Sequence, residues 1–240
     1  MASTYSTNAQ LEIITTGEKA GQWGGINNTN LQILEQTSTG VLDVDISAGS
    51  STLVLTDGAQ STGKNLYYRL YGTLAANRTV TMPVTAERVW IMKDDTVRGA
   101  SNYTVGVLTA SGTTQPIPPG ATVLCKSNGS ETVVSIIEKG YATITDANSP
   151  YTAVAGAQIL ANTTSTTITV TLPSAASTGD EVTIIDARGT WGSNNLTVGR
   201  NGLPINTGTS DLTLSNNGQS ITLVYVDATR GWAYKTNYTS

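Results

Sequence analysis

Histidine and phenylalanine are both absent from this chain of 240 residues, and cysteine occurs once. Without histidine, the chain's own residues cannot form a Ser-His-Asp or Cys-His catalytic centre or a histidine-ligated metal site. The single cysteine, Cys125, excludes an internal disulfide framework and a cysteine zinc site. Because Cys125 lies in the apolar run ATVLCKS, we expect a buried structural thiol there.

Charge is also scarce. Charged residues make up 12% of the chain, and the 13 Lys and Arg residues are scattered against 17 Asp and Glu, which gives a net charge of -4. Nucleic-acid binding needs a clustered basic face, so this function is excluded. No segment approaches the ~18 apolar residues of a membrane span. The N-terminus has no basic start followed by an apolar core, so we expect no signal peptide.

Paired carboxylates are the catalytic arrangement that this composition still allows, because glycosidases need only two. Asp180 and Glu181, however, lie in a turn that leads into a strand, where Asp accepts local backbone hydrogen bonds, and Asp94 and Asp95 lie at the matching strand end. We therefore predict structural roles, with a catalytic pair or a calcium site as the alternative. The chain is predicted not to be an enzyme and to hold no cofactor or metal. The clusters are Asp43 with Asp45, Asp94 with Asp95, and Asp180 with Glu181 and Asp186.

An internal repeat organises most of the chain. RTVTMP at 78–83 matches ITVTLP at 168–173, and ERVWIMKDD at 87–95 matches DEVTIIDAR at 180–188. NYTVG at 102–106 then matches NLTVG at 195–199, and 121–136 aligns loosely with 220–235. Four matches in the same order indicate two copies of one module.

The repeated segments have the β-branched and aromatic content of strands, separated by turns that contain Gly and Asn. ITLVYV and WAYKT, joined by DATRG, predict a hairpin. We expect an all-β fold with two tandem sandwich-like modules, at 41–140 and 141–240, after an N-terminal segment at 1–40.

The stretch GEKAGQWGGINNTNLQILEQ, residues 17–36, differs from everything that follows. It fails as a phosphate-binding loop because Lys19 precedes the later glycines and no βαβ unit surrounds it. Residues 26–37 predict the chain's one helix, with Ile26, Leu31 and Leu34 roughly on one face. Asn27 or Asn28 would cap its start and Gly40 would end it.

This stretch resembles the N-terminal segment of bacteriophage tail fibres, especially those of marine phages, which has the pattern T-G-x-x-A-G-x-W-G-x-x-x-N-x-N before a short helix. The second module is similar to β modules of the same fibre and virion-surface proteins. The resemblance implies a virion structural protein, assembled in the host cytoplasm, exposed after lysis, and commonly homotrimeric. It implies attachment to other virion proteins of the tail or capsid through the N-terminal segment. The candidate attachment residues are Gly21, Trp23, Gly24, Asn28, Asn30, Leu31 and Leu34.

Three interpretations stay open at this point. The first is a tail fibre whose two modules point towards the host surface and contact a host glycan. The second is a decoration or spike protein on the capsid. The third is an adhesin that binds or depolymerises carbohydrate. Trp23 either docks on a partner, as we expect, or packs on the first module.

Overall fold

A computed structural model describes residues 4–83, 87–99, 102–109, 112–128 and 131–238 of the chain. Within this part, the chain is mostly β-strand with one α-helix. It separates into two compact units. The first unit is formed by residues 1–97, 104–117 and 122–137, and the second by 98–103, 118–121 and 138–240.

Two short strands and the helix precede the first large sheet. Strands β1 (Thr4–Tyr5) and β2 (Glu12–Ile13) pair in antiparallel fashion. Helix α1 spans Trp23–Thr39, so the helix predicted at 26–37 is confirmed and is longer at both ends. Gly40 ends it, as expected: its N–H closes the last helical hydrogen bond, to the carbonyl of Gln36 at 2.9 Å, and its extended backbone, with ψ of 132°, leads the chain out of the helix. The predicted asparagine cap is wrong, because the N-cap residue is Gln22 and no side chain caps the helix.

The first unit contains two sheets between which the chain alternates. The order in one sheet is β11-β10-β7-β5-β3, in which β3, β5 and β7 are parallel. The order in the other is β4-β6-β8-β9, in which β4, β6 and β8 are parallel and β9 is antiparallel to β8. The strands are β3 Val41–Asp45, β4 Ser51–Thr52, β5 Tyr67–Thr73, β6 Arg78–Met82, β7 Glu87–Val97, β8 Val105–Thr109, β9 Gln115–Ile117, β10 Thr122–Asn128 and β11 Thr132–Glu138.

The second unit repeats this topology strand for strand. One sheet has the order β12-β14-β16-β19-β20 and the other β13-β15-β17-β18. In each sheet the first three strands are parallel and the later ones antiparallel. The strands are β12 Tyr141–Ile144, β13 Tyr151–Thr152, β14 Gln158–Ala161, β15 Ile168–Thr171, β16 Glu181–Asp186, β17 Leu196–Gly199, β18 Leu212–Leu214, β19 Ser220–Asp227 and β20 Gly231–Tyr238.

Each unit is therefore a short β-solenoid, and the predicted pair of β-sandwiches is wrong. Every turn contributes one strand to each sheet, and the next turn adds a parallel strand beside each of them. Three such turns are followed by antiparallel strands in both units. A sandwich of the predicted kind would instead be built from antiparallel neighbours.

Every second side chain of a strand points into the space between the two sheets of its unit and fills it. In β16, Val182, Ile184 and Asp186 face inward, while their neighbours are half-buried. The core of the second unit combines such residues from both sheets with two fully buried tryptophans, Trp191 and Trp232. The matched segments of the repeat occupy equivalent strands, for example β6 with β15. The predicted hairpin is confirmed as β19–β20.

Candidate attachment surface on the N-terminal helix

Helix α1 is held to the first unit by one apolar side chain and one amide. Ile33 is the buried residue of the helix, with no exposed surface. The Gln36 amide donates to the carbonyl of Ser61 at 3.1 Å and accepts from the N–H of the same residue at 3.3 Å. It also donates to the side-chain oxygen of Asn65 at 3.3 Å. These contacts fix both the position and the rotation of the helix.

The Asn30 side chain fastens strand β2 to the same helix. Its Nδ2 donates to the carbonyl of Glu12 at 2.9 Å, and its Oδ1 accepts from the N–H of Glu12 at 3.0 Å. The Glu12 carboxylate also forms an ion pair with Lys19 at 3.1 Å. Asn30, one of the predicted attachment residues, therefore has an internal structural role in this fold.

Part of the helix surface presents large apolar side chains to solvent. Trp23 is 63% exposed, Leu31 55% and Leu34 45%. With 3.6 residues per turn, Leu34 lies about 20° and Leu31 about 80° around the helix axis from Trp23, so the three side chains share one broad side of the helix. We call Trp23, Leu31 and Leu34 the apolar face. Because Trp23 is mostly exposed, the alternative in which it packs on the first module does not hold.

The structure brings together only part of the predicted attachment set. Gly21, Gly24 and Asn28 are exposed near the start of the helix, and Gly21 adopts a φ of +77°. A Cβ at Gly21 or Gly24 would meet no atom within 4 Å, so neither glycine is there for close packing within the chain. Of the predicted face of Ile26, Leu31 and Leu34, the two leucines are exposed, whereas Ile26 is half-buried on the side that packs on the unit.

Ile33 was missed because its side of the helix is not continuously apolar. The side that packs on the unit runs through Ile26, Asn30 and Ile33, at the spacing i, i+4, i+7. Asn30 interrupts the apolar pattern in the middle of this series. The pairing of Asn30 with the Glu12 backbone explains why a polar residue is suited to that position.

A depression of about 350 Å³ lies between β2 and the first turns of α1. Its lining includes Glu12, Gly25, Thr29 and Asn30. Glu12 is the one titratable lining residue, and its carboxylate is paired with Lys19. The depression thus has no second carboxylate with which Glu12 could act as a catalytic pair.

The predicted structural turn roles are confirmed for Asp180 and Asp186, whereas Asp94 and Asp95 lie within strand β7 and not in a turn. The Asp186 carboxylate accepts five backbone N–H groups, from Arg188, Gly189, Thr190, Trp191 and Gly218, at 2.9–3.3 Å. Asp180 accepts from the N–H of Ser177 at 2.8 Å.

In the first unit, Asp94 accepts from the N–H and the hydroxyl of Thr96. Asp43 and Asp95 both pair with Arg69, at 3.1 and 3.0 Å. Among the described residues, no group of three His, Cys, Asp or Glu side chains is placed to hold a metal ion.

One buried and one half-buried cation in the first unit, Lys64 and Arg88, were not found from the sequence. Lys64 has no exposed surface, and its Nζ donates to the carbonyls of Thr56 and Ala59, both at 2.7 Å. Burial lowers the pKa of Lys64, and the nearby Arg88 lowers it further. Burial likewise lowers the pKa of Arg88, whose guanidinium donates to the carbonyls of Gly63 and Lys64. Both side chains stabilise the loop that precedes β5.

No helix in the described part of the chain is long and apolar enough to cross a membrane.

The Cys125 thiol is buried, as predicted from its apolar run. Burial raises its pKa to about 12, which keeps the thiol protonated and unreactive at neutral pH.

Comparison with known proteins assigns no family. No family model matches the chain, and no curated protein matches it. One solved structure with a similar chain is described as "Structure of a chaperone-substrate complex", with a TM-score of 0.38 and 12% identity. The match covers 82% of this chain and 32% of the solved one, so this chain spans about a third of the length of that protein.

Proposed function

We propose that this protein is a non-enzymatic structural component of a bacteriophage virion, a tail fibre that attaches to the particle through helix α1. The observation that carries the proposal is the apolar face of Trp23, Leu31 and Leu34 on a helix that is otherwise firmly held. Burial of Ile33 and the Gln36 hydrogen bonds leave the helix little freedom to turn these side chains inward.

The chemistry of this surface suits a protein partner. Trp is the residue type that most often dominates binding energy at protein interfaces, where it fills a pocket on the partner. Leu31 and Leu34, two to three turns further along the helix, extend the apolar contact, as in helix-in-groove recognition. The helix itself carries one charged residue, Glu35, so the partner needs an apolar groove more than a charged one.

The resemblance of residues 16–30 to the attachment segment of tail fibres gives the partner class, namely other proteins of the virion. Gly21 and Gly24 lie near Trp23 at the start of the helix, and Asn28 lies just over one turn further along. The β-solenoid units are then the part that extends from the attachment point. Contact of these units with a host-surface glycan stays a prediction.

Incorporation of variants into particles tests the attachment. The variant Trp23→Ala, Leu31→Ala, Leu34→Ala is supplied in trans to particles that lack the native protein, and the protein per particle is quantified by mass spectrometry. Truncation of a Trp hot spot with its apolar neighbours costs about 2–4 kcal/mol, a loss of roughly 30-fold or more in affinity. We therefore expect near-complete loss of incorporation.

A matched control substitutes two other exposed apolar residues of the first unit, Val54→Ala and Val97→Ala, which are 51% and 58% exposed. This control should be incorporated normally. Normal incorporation of the triple variant would refute attachment through the helix.

Copy number separates the tail fibre from the capsid decoration protein, since a fibre is present in a few tens of copies at most and a decoration protein in hundreds.

A further inference from the structure

Strand β11 is an exposed apolar edge strand of the first unit. It is the terminal strand of its sheet, next to β10. Val133 is 59% exposed, Ile136 36% and Ile137 57%, so apolar side chains are exposed on both faces of the strand. Residues 132–137 carry no charge. Natural proteins normally protect such an edge with charges, proline or a covering element, because it readily pairs with another strand.

The turn before β11 sets which backbone groups face outward. Asn128 donates its N–H to the carbonyl of Glu131 at 3.3 Å, so the backbone of residue 131 faces β10. In an antiparallel ladder the groups of successive residues alternate between the two sides. The N–H and C=O groups of Val134 and Ile136 therefore point away from β10, towards the open edge of the sheet.

We propose that β11 pairs with β11 of a second copy of this chain, antiparallel and about a twofold axis at Ser135. In this register Val134 lies opposite Ile136 of the second copy, and their outward backbone groups bond to each other. Val133 lies opposite Ile137, and Ser135 lies opposite its own counterpart. The exposed apolar residues of one copy thus cover those of the other.

Charge complementarity selects this register and this partner. Glu131 precedes the strand and Lys139 follows it. With Ser135 on the axis, Glu131 of each copy lies opposite Lys139 of the other, so two opposite-charge pairs flank the apolar centre. A shift by two residues in either direction keeps the outward groups paired but separates both charge pairs. Lys139 also lies 3.8 Å from Glu181, a carboxylate that binds Lys235 as well, so Glu181 keeps a partner when Lys139 turns towards Glu131.

This pairing is twofold, and it differs from the threefold association that the resemblance to tail fibres implies. It uses β11 and leaves the apolar face of helix α1 free. The proposal therefore does not depend on the proposed virion attachment, and either can fail without the other.

Disulfide trapping tests the register. Ser135→Cys places two thiols on the axis, in a pair without mutual backbone hydrogen bonds whose Cα atoms are about 4.5 Å apart, which is within the range for a disulfide. Mild oxidation should convert this variant to a cross-linked dimer. Val133→Cys is the matched control, because residue 133 lies opposite Ile137 and not opposite itself. The buried native thiol of Cys125 does not interfere. Absence of cross-linking in Ser135→Cys, or equal cross-linking in Val133→Cys, would overturn the proposal.

Charge reversal tests the pairing without new thiols. The native chain should show a concentration-dependent mass of twice its 25.0 kDa in sedimentation equilibrium. Glu131→Lys places lysine opposite lysine at both ends and should weaken the dimer on the order of tenfold. The double variant Glu131→Lys, Lys139→Glu restores opposite charges and should recover most of the affinity. A monomer at every concentration, a trimer, or a double variant no better than Glu131→Lys would each refute the pairing.

Discussion

Replacement of Asp186 by asparagine should destabilise the second unit severely, although the two side chains have almost the same shape. Asp186 is 9% exposed and closes the turn after β16. Its Oδ1 accepts from the N–H groups of Arg188, Gly189 and Thr190, and its Oδ2 accepts from those of Trp191 and Gly218. The bond from Gly218 ties this turn to the loop before β19.

The size of the loss in the free energy of unfolding follows from the replacement of Oδ2 by an NH2 group. In the Asp186→Asn variant, Oδ1 keeps its three donors but loses the charge that strengthens them. The new NH2 group takes the place of Oδ2 and faces the N–H groups of Trp191 and Gly218, so two buried donors lose their acceptor. Each costs about 1–3 kcal/mol. We expect the free energy of unfolding to fall by about 3–5 kcal/mol, a large part of the 5–15 kcal/mol typical of a domain.

Hydrogen exchange measured by mass spectrometry on the full chain localises the effect. The amides of residues 188–191 should lose protection in Asp186→Asn, and urea unfolding should shift to lower concentration. Asp227→Asn is the control, because Asp227 is exposed and accepts the N–H groups of Thr229 and Arg230 through Oδ1, an atom that asparagine retains. The control should change stability by less than about 1 kcal/mol. A loss in Asp186→Asn as small as in the control would refute this account of the turn.

Two further predictions concern a buried thiol and a crowded glycine. Burial raises the pKa of Cys125 from 9.0 to about 12, so above pH 9 the unfolded chain releases this proton before the folded chain does. The free energy of unfolding should therefore fall by about 1.4 kcal/mol more between pH 8 and pH 10 in the native chain than in Cys125→Ala; equal declines in urea titrations would contradict this. Gly231→Ala should cost more than ~3 kcal/mol in thermal or urea unfolding, because φ is +68° and the new Cβ would lie 1.8 Å from the carbonyl oxygen of Pro204. Gly202→Ala, with φ of +89° but open space, should cost only about 1 kcal/mol; a similar loss in both variants would exclude the steric cause.

The positions of the helix, the turns and the hairpin could be predicted from the sequence because residues close together in the chain determine them. The helix, its end at Gly40, the β19–β20 hairpin and the structural use of the acidic turns all depend on residues close together in the chain. The repeat matched strands that are indeed equivalent in the two units, such as β7 and β16.

The parallel or antiparallel direction of strand pairing could not be predicted from the sequence. This is why the sandwich prediction was wrong. In the parallel turns, consecutive strands go to different sheets, so each strand pairs with the next strand but one. The spacing of these partners varies, since Tyr141 pairs with Gln158 whereas Ile168 pairs with Leu196. With turns of unequal length, no short period appears in the sequence, and only the longer repeat of the whole unit is visible.

The apolar face of α1 could be predicted only in part from the sequence, for a different reason. Periodicity identifies which residues share a side of a helix, but not which side packs on the protein. Here the packed side is defined by Asn30 and Gln36, whose hydrogen-bond partners lie 18 to 29 residues away in the chain. Such long-range amide pairings have no sequence signature.

The antiparallel strands that end each three-turn solenoid have an evolutionary consequence. A parallel turn can in principle be added or removed singly, because it contacts only the turns on either side. The antiparallel strands at the end of a unit prevent the addition of single turns there, since no further parallel turn can continue from them in register. A chain of this kind therefore lengthens by duplicating the whole unit together with its ending. This accounts for an internal repeat of about 90 residues where simpler solenoids repeat every 20–50.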